Sequence, residues 1–197
     1  MLANSKRGTL VKQTWFTSDL HLFHSRMAQL RGFATQEEMH EIIIGNWNAL
    51  VGKSDTVYIL GDFGFKHPDL RKIRFRLNGK LHLIVGNHDR KNMIVLRSNL
   101  FSSIQDIAYI KYNKMPIMLC HYQMTVWDRS RYNAWHLFGH THTGLNTPRM
   151  STSNGKSFDV GLDNWHMRPI SFEEVEKVMR NQPNNFNYRK PNDTKTL

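Results

Sequence analysis

Five stretches of the chain end an apolar run on polar groups that could do chemistry. "WFTSDLH" delivers Asp19 and His21, "VYILGD" Asp62, "LIVGNHD" Asn87, His88 and Asp89, "IMLCHY" His121, and "HLFGHTH" His140 and His142. Seven of these side chains, Asp19, His21, Asp62, Asn87, His121, His140 and His142, are oxygen or imidazole donors with no thiolate among them. Such a set suits borderline or moderately hard divalent metals, with Mn²⁺ favoured and Zn²⁺, Fe and Ni²⁺ also acceptable. Seven donors exceed what one tetrahedral ion takes, so two ions are the economical solution. At about 3.5–4 Å apart, two ions share a bridging carboxylate and a water that loses its proton near neutral pH and attacks in line. Asp62 is the bridging candidate, because nothing else polar flanks it in "LGDFGF". Taken singly, each fragment is weak: Gly-Asp is a common turn, and a lone strand histidine is more often a hydrogen-bonded core residue. Their joint order carries the argument.

Rigid elements must hold these groups. A strand is expected over about Lys12–Ser18. In "TQEEMHEIIIGNWNALVG", Thr35 with Glu38 reads as a capping box, and Met39, Ile42, Ile43, Trp47 and Leu50 recur on one helical face. "SDTVYIL" reads as a strand, "PDLRKIRFRLNG" as a helix stopped by Gly79, and "LHLIV" as a third strand. The texture then turns to β structure: "IQDIAYIKYN" and "MPIMLCHY" flank a hairpin turn at "NKMP", and "WHLFGHTH" and "KSFDVGLD" follow. A final helix starts at Ser171, with Glu174 completing a second capping box and Val175, Val178 and Met179 inward. Alternating strands and helices followed by a run of strands imply a layered α/β domain of two packed sheets. Residues 1–181 form that one domain, and the polar stretch 182–197 reads as a poorly ordered tail.

The totals agree with a globular, reducing-compartment protein. Of 197 residues, 40% are hydrophobic, and a single cysteine, Cys120, rules out an internal disulfide. No apolar run approaches the ~18 residues of a membrane span, so a cytoplasmic protein is expected, in the host cytoplasm if phage-encoded. A formal charge of +11 favours phosphate-bearing partners, nucleotides or nucleic acid among them.

Asp-x-His, Gly-Asp, Gly-Asn-His-Asp, a later His and Gly-His-x-His, in this order over residues 15–142, resemble the calcineurin-like metallophosphoesterases. "WFTSDLHLFH" and "DVGLDNWHMRPISFEEV" further resemble the small single-domain members of bacteria and their phages. The resemblance implies a four-layer α/β/β/α sandwich of two mixed sheets flanked by helices, around a dinuclear site. It implies one metal held by Asp19, His21, Asp62 and His142 and a second held by Asp62, Asn87, His121 and His140. It makes His88 no ligand but the group that contacts the substrate phosphate and protonates the leaving oxygen, oriented by Asp89. One departure stands out. Many relatives carry Gly-Asp-x-x-Asp, whereas this chain has Phe65 at the last position, so that support must come from elsewhere.

Around the site, His24 is placed to reach the substrate phosphate or to brace its loop. Trp127, Arg129 and Arg131 in "TVWDRSRYNAW" offer stacking surface and cations to a substrate, against the alternative of a surface loop with its aromatics tucked under. Asp159 and Asp163 read as turn or supporting groups, and His40, His67, His82, His136 and His166 as structural or exposed. The expected function is a dinuclear metal-dependent phosphoesterase, with a phosphodiester substrate preferred. The alternatives are a nucleotidase-like phosphomonoesterase and a catalytically silent nucleic-acid-binding module.

Overall fold

The computed structural model describes residues 12–97, 99–146 and 155–190. Along the chain run β1 (Thr14–Thr17), α1 (Ser25–Leu30), α2 (Gln36–Leu50), β2 (Thr56–Leu60), α3 (Leu70–Arg76), β3 (Lys80–Ile84), α4 (Met93–Leu96), β4 (Ser103–Gln105), β5 (Ile107–Tyr112), β6 (Met115–Cys120), β7 (Trp135–Phe138), α5 (Thr143–Asn146), β8 (Ser157–Asp159), β9 (Ile170–Ser171) and α6 (Phe172–Asn181). Two sheets form, in the orders β4-β3-β2-β1-β9 and β5-β6-β7-β8. Both are mixed. The first is parallel except for β9, and the second is parallel except for the β5–β6 hairpin.

The alternation of side chains along each strand explains the layering. Trp15, Val57, Ile59, Leu81 and Leu83 face outward from the first sheet onto Met39, Ile43 and Trp47 of α2 and Leu70 and Ile73 of α3. Their neighbours Phe16, Leu60 and Ile84 face the opposite way and pack against Ile117, Leu119, Trp135 and Leu137 of the second sheet. Phe172, Val175 and Met179 bring α6 against this inner core. On the outer face of the second sheet, Met118 packs with Trp127 and Ala134 of the 122–134 loop. The two mixed sheets with flanking helices are the architecture expected from the sequence.

Several local expectations need correction. Ile42 and Leu50 are 43% and 41% exposed, because the buried face of α2 is Met39, His40, Ile43, Ile44 and Trp47. "IQDIAYIKYN" is two strands in different sheets: β4 pairs in parallel with β3, β5 pairs antiparallel with β6, and the chain changes sheet at Asp106. The hairpin turn is Asn113–Lys114, both at positive φ, as a two-residue turn between twisted strands requires, while Met115 and Pro116 already belong to β6. Thr35 accepts from the Glu38 N–H, but the Glu38 carboxylate turns to Ala34 N; only the Ser171–Glu174 pair closes a full capping box.

The expected tail also differs. Residues 182–190 pack against the domain, with Asn185 2% exposed and donating from Nδ2 to the carbonyls of Ser130 and Ala134. A polar composition signals disorder only when its side chains find no buried partners, and Asn185 finds them; residues 191–197 lie outside the described residues. Among the described residues no helix is long and apolar enough to cross a membrane.

Candidate metal centre

All seven expected donors follow the carboxyl ends of parallel-running strands: Asp19 and His21 after β1, Asp62 after β2, Asn87 after β3, His121 after β6, and His140 and His142 after β7. Strand ends in one sheet point the same way, so short turns converge on a common crevice. The turns are tight. Asp19, His21, Asp62, His140 and His142 all hold positive φ, between 47° and 71°. For residues other than glycine that conformation costs roughly 1 kcal/mol or more each, and it persists only where surrounding bonds fix it.

Those bonds are present. Asp19 N donates to Gly61 O at 3.0 Å and His21 N to Asp62 O at 3.0 Å, locking the β1 turn to the β2 turn. His140 N donates to Asp19 Oδ2 at 2.9 Å, and His88 N to Asp62 Oδ1 at 2.9 Å. Two glycines permit the approach. A Cβ on Gly86 would overlap the Asp62 carboxylate and backbone nitrogen, and one on Gly139 would overlap Ser18 and Asp19.

The side chains close into two adjoining groups. In the first, His21 Nε2 and His142 Nε2 lie 3.1 Å apart, and each stands 3.7 Å from Asp19 Oδ1. In the second, Asp62 Oδ2 is 3.6 Å from His121 Nε2, which is 3.0 Å from Asn87 Oδ1; His140 belongs to the same group. Asp62 Oδ2 also stands 3.8 Å from His21 Nε2, so it links the two.

The donor set fits a cation on grounds internal to the structure. Asp19 Oδ1 is buried without any hydrogen-bond partner, and two imidazole nitrogens face each other beside it. Burial pushes the Asp19 carboxyl up to about 7 against the pull of His142, and burial together with His142 drives His21 down to about 2. A neutral imidazole with a free lone pair beside a carboxylate short of positive charge is the arrangement that a bound divalent ion satisfies.

Asp163 and Arg31 support this geometry from behind. Asp163 Oδ2 accepts from His142 Nδ1 at 2.7 Å, which leaves Nε2 as the acceptor nitrogen that faces the cluster. Arg31 grips the same carboxylate through Nε at 2.7 Å and Nη2 at 3.0 Å, and donates as well to the carbonyls of Asp19 and Leu20. Both side chains are 1% exposed. Burial acts to raise the Asp163 carboxyl, but the bonds from His142 and Arg31 outweigh it and hold it at about 2. Arg31 carries no sequence signal; "LRGF" reads as a helix end, and its partner lies 132 residues away. No acid stands at position 65. Phe65 instead packs its ring 4.2 Å from His24 and 4.8 Å from His88.

The remaining expected residues divide. His24 stands at the rim, its ring 5.6 Å from that of His21. His88 is 37% exposed, with Nε2 3.9 Å from Asp62 Oδ2; it also falls within ligand reach of His21 and Asp62, so its geometry is compatible with either role. Asp89 does not orient the His88 ring. Its buried carboxylate accepts from the backbone N–H groups of Asp62, Phe63 and Gly86 at 2.8, 3.0 and 2.9 Å, clamping the β2 turn to the β3 turn. Trp127 is 8% exposed, its Nε1 bonded to Ala134 O, so it roofs the second sheet and presents no free stacking face. Arg129 and Arg131 are exposed on the same loop. Asp159 accepts from Gly161 N and Thr141 Oγ1, and His40 and His136 are buried.

The Gene 66 protein of Mycobacterium phage D29 is 31% identical to this chain over 198 residues, covering 86% of the chain and 96% of the phage protein. The chain belongs to the family of that phage protein. Among solved structures, a protein of unknown function from Aquifex aeolicus superposes with a TM-score of 0.68 at 22% identity, covering 85% of this chain and 99% of the other. A looser likeness, with a TM-score of 0.44 at 17% identity over 76% of this chain and 82% of the other, is to an archaeal phosphodiesterase. No family model matches the chain.

Proposed function

We propose that the protein is a metal-dependent phosphoesterase with a phosphodiester substrate, acting on nucleotides or nucleic acid. The observation that carries this reading is the convergence of Asp19, His21 and His142 with Asn87, His121 and His140 around the shared carboxylate of Asp62. Asp19, His21, Asp62 and His142 would hold one divalent cation, and Asp62, Asn87, His121 and His140 a second. When bound, such cations neutralise charge on the phosphate oxygens and make a water nucleophilic near neutral pH.

The chain's own groups supply the rest. His88, partly exposed beside the cluster, would hydrogen-bond a phosphate oxygen and deliver a proton to the departing alkoxide. Asp89 keeps the two turns in register so that Asp62 and His88 face the same space. Phe65 and His24 wall one side of that space. The net charge of +11 favours anionic substrates.

The test uses purified protein loaded with Mn²⁺, assayed on aryl phosphodiester and aryl phosphomonoester substrates beside the variant Asp62→Asn. Diester cleavage that the variant loses is the expected result. Cleavage of the monoester alone would reassign the enzyme as a phosphomonoesterase, and equal activity of the variant would refute the site.

A further inference from the structure

Apart from the metal cluster, an open cavity of about 750 Å³ lies on the 126–132 loop, with Asp128, Arg129, Arg131, Tyr132 and Asn187 in its lining. No donor of the metal centre lines it. We propose that this cavity is a docking shelf for a nucleotide unit of a single-stranded nucleic acid, which binds phosphate through Arg129 and Arg131 and stacks a base against Tyr132.

Charge is the first argument. Arg31, Arg76, Arg90, Arg168 and Arg180 are each paired with a carboxylate, whereas Arg129 and Arg131 form no ion pair among the described residues. Two unneutralised guanidiniums on one cavity wall outweigh the single acid Asp128 and leave the shelf cationic. Shape is the second. Tyr132 is 59% exposed, and the Arg131 guanidinium lies over its ring at 4.9 Å from the centroid, a flat cation–π surface of the kind on which unpaired bases stack.

Construction is the third argument. Arg129 and Asn133 both hold positive φ, at 59° and 61°, on either side of a 3₁₀ turn at Ser130–Tyr132. Non-glycine residues in that region persist only where the surroundings hold them. Here the holding is visible from beneath. Asn185 bonds the carbonyls of Ser130 and Ala134, Asn187 Nδ2 bonds Ser130 Oγ at 2.9 Å, and Arg189 N bonds Arg131 O at 2.9 Å. The loop is thus fixed by the 184–189 segment while its cationic and aromatic side chains stay exposed, and a preorganised surface loses little entropy on binding.

The loop that carries the shelf begins at the site and ends away from it. The loop leaves β6 at His121, and the next residue, Tyr122, sets its ring 4.9 Å from those of His121 and His140. β6 and β7 run parallel, so the loop crosses from the cluster at the end of β6 to the start of β7 at the other end of the sheet, where Arg129–Tyr132 lie and where Asn185 joins Ser130 to Lys156; a nucleic-acid strand that reaches both must run along the loop. The choice of nucleic acid among polyanions rests on the phosphoester chemistry proposed above.

The full-length protein, stripped of metal with EDTA, is titrated into a fluorescently labelled oligothymidylate of about twelve nucleotides, and anisotropy is followed from about 20 to 200 mM salt. Arg129→Ala with Arg131→Ala should weaken binding and flatten the log–log salt slope by about 1.4, since each single-strand phosphate contact contributes about 0.7. Tyr132→Ala should weaken binding about tenfold with the slope unchanged, and Tyr132→Phe should bind as the parent does. Lys72→Ala with Arg76→Ala on α3 controls for general charge. The shelf is refuted if its variants, with unchanged melting curves, bind as the parent does, or if the α3 pair weakens binding as much. Because no metal is present, a failure of the phosphoesterase reading shows separately. Shelf-dependent binding without turnover of any phosphate ester leaves the shelf standing, and turnover with indifferent shelf variants removes the shelf alone.

Discussion

Replacing Asp163 by Asn tests whether the metal centre is held from behind. The substitution keeps the size of the side chain and removes one charge from a buried set in which Arg31 and Asp163 are each 1% exposed. Removing one partner of a buried ion pair costs about 3–5 kcal/mol when the other charge is left uncompensated. Arg31 retains its bonds to Asp19 O at 2.7 Å and Leu20 O at 3.0 Å, so a loss near the lower end, about 3 kcal/mol, is expected. The second consequence is on the metal. His142 Nδ1 loses its carboxylate acceptor, and such outer groups are worth 10–100-fold in metal affinity, or about 1.4–2.7 kcal/mol. Isothermal titration of EDTA-stripped protein with Mn²⁺, alongside urea denaturation, reads both quantities. The expected result is selective: the equivalent that uses His142 weakens 10–100-fold, while the one that uses His121 and His140 does not. Unchanged affinity for both equivalents in the folded variant would refute the supporting role of Asp163.

Three further outcomes are expected. Gly86→Ala should abolish tight metal binding and destabilise the fold by about 1–3 kcal/mol in urea, because its Cβ overlaps Asp62 where β2 and β3 turns meet; parental affinity would show that the turns can move apart. His136 is fully buried, its Nε2 accepting from Met124 N, and burial lowers its pKa from 6.5 to about 4. The unfolded chain therefore binds the proton more readily, so the stability of the parent relative to His136→Gln should fall by up to about 3 kcal/mol as pH drops from 6.5 towards 4; a pH-independent difference would contradict the buried neutral imidazole. Asn185→Ala leaves the Lys156 N–H without its side-chain acceptor and takes one donor each from Ser130 O, which keeps Asn133 N, and Ala134 O, which keeps Trp127 Nε1, and a loss of about 1–3 kcal/mol in urea, with faster proteolysis in the 122–134 loop, is the expected signature; stability equal to the parent would mean that residues 182–190 do not brace the loop.

The sequence alone determined the donors and the elements that carry them. Asp19, Asp62, Asn87 and the histidines each fall within a few residues of the end of an apolar run, so their place at a strand end is a matter of neighbouring residues, which alternation and turn chemistry report. The Ser171–Glu174 cap was legible for the same reason, since both partners lie within one helical turn. Tertiary structure decided what depends on distant segments. That Arg31 finds Asp163, that Asp89 clamps three backbone N–H groups and not a ring, and that Asn185 anchors the 122–134 loop are choices made between surfaces brought together only by folding. The split of "IQDIAYIKYN" at Asp106 and the exposure of Ile42 and Leu50 belong here too. A periodic pattern marks which residues can be buried, but which sheet a strand joins and which face a helix covers depend on the partner that packs against it.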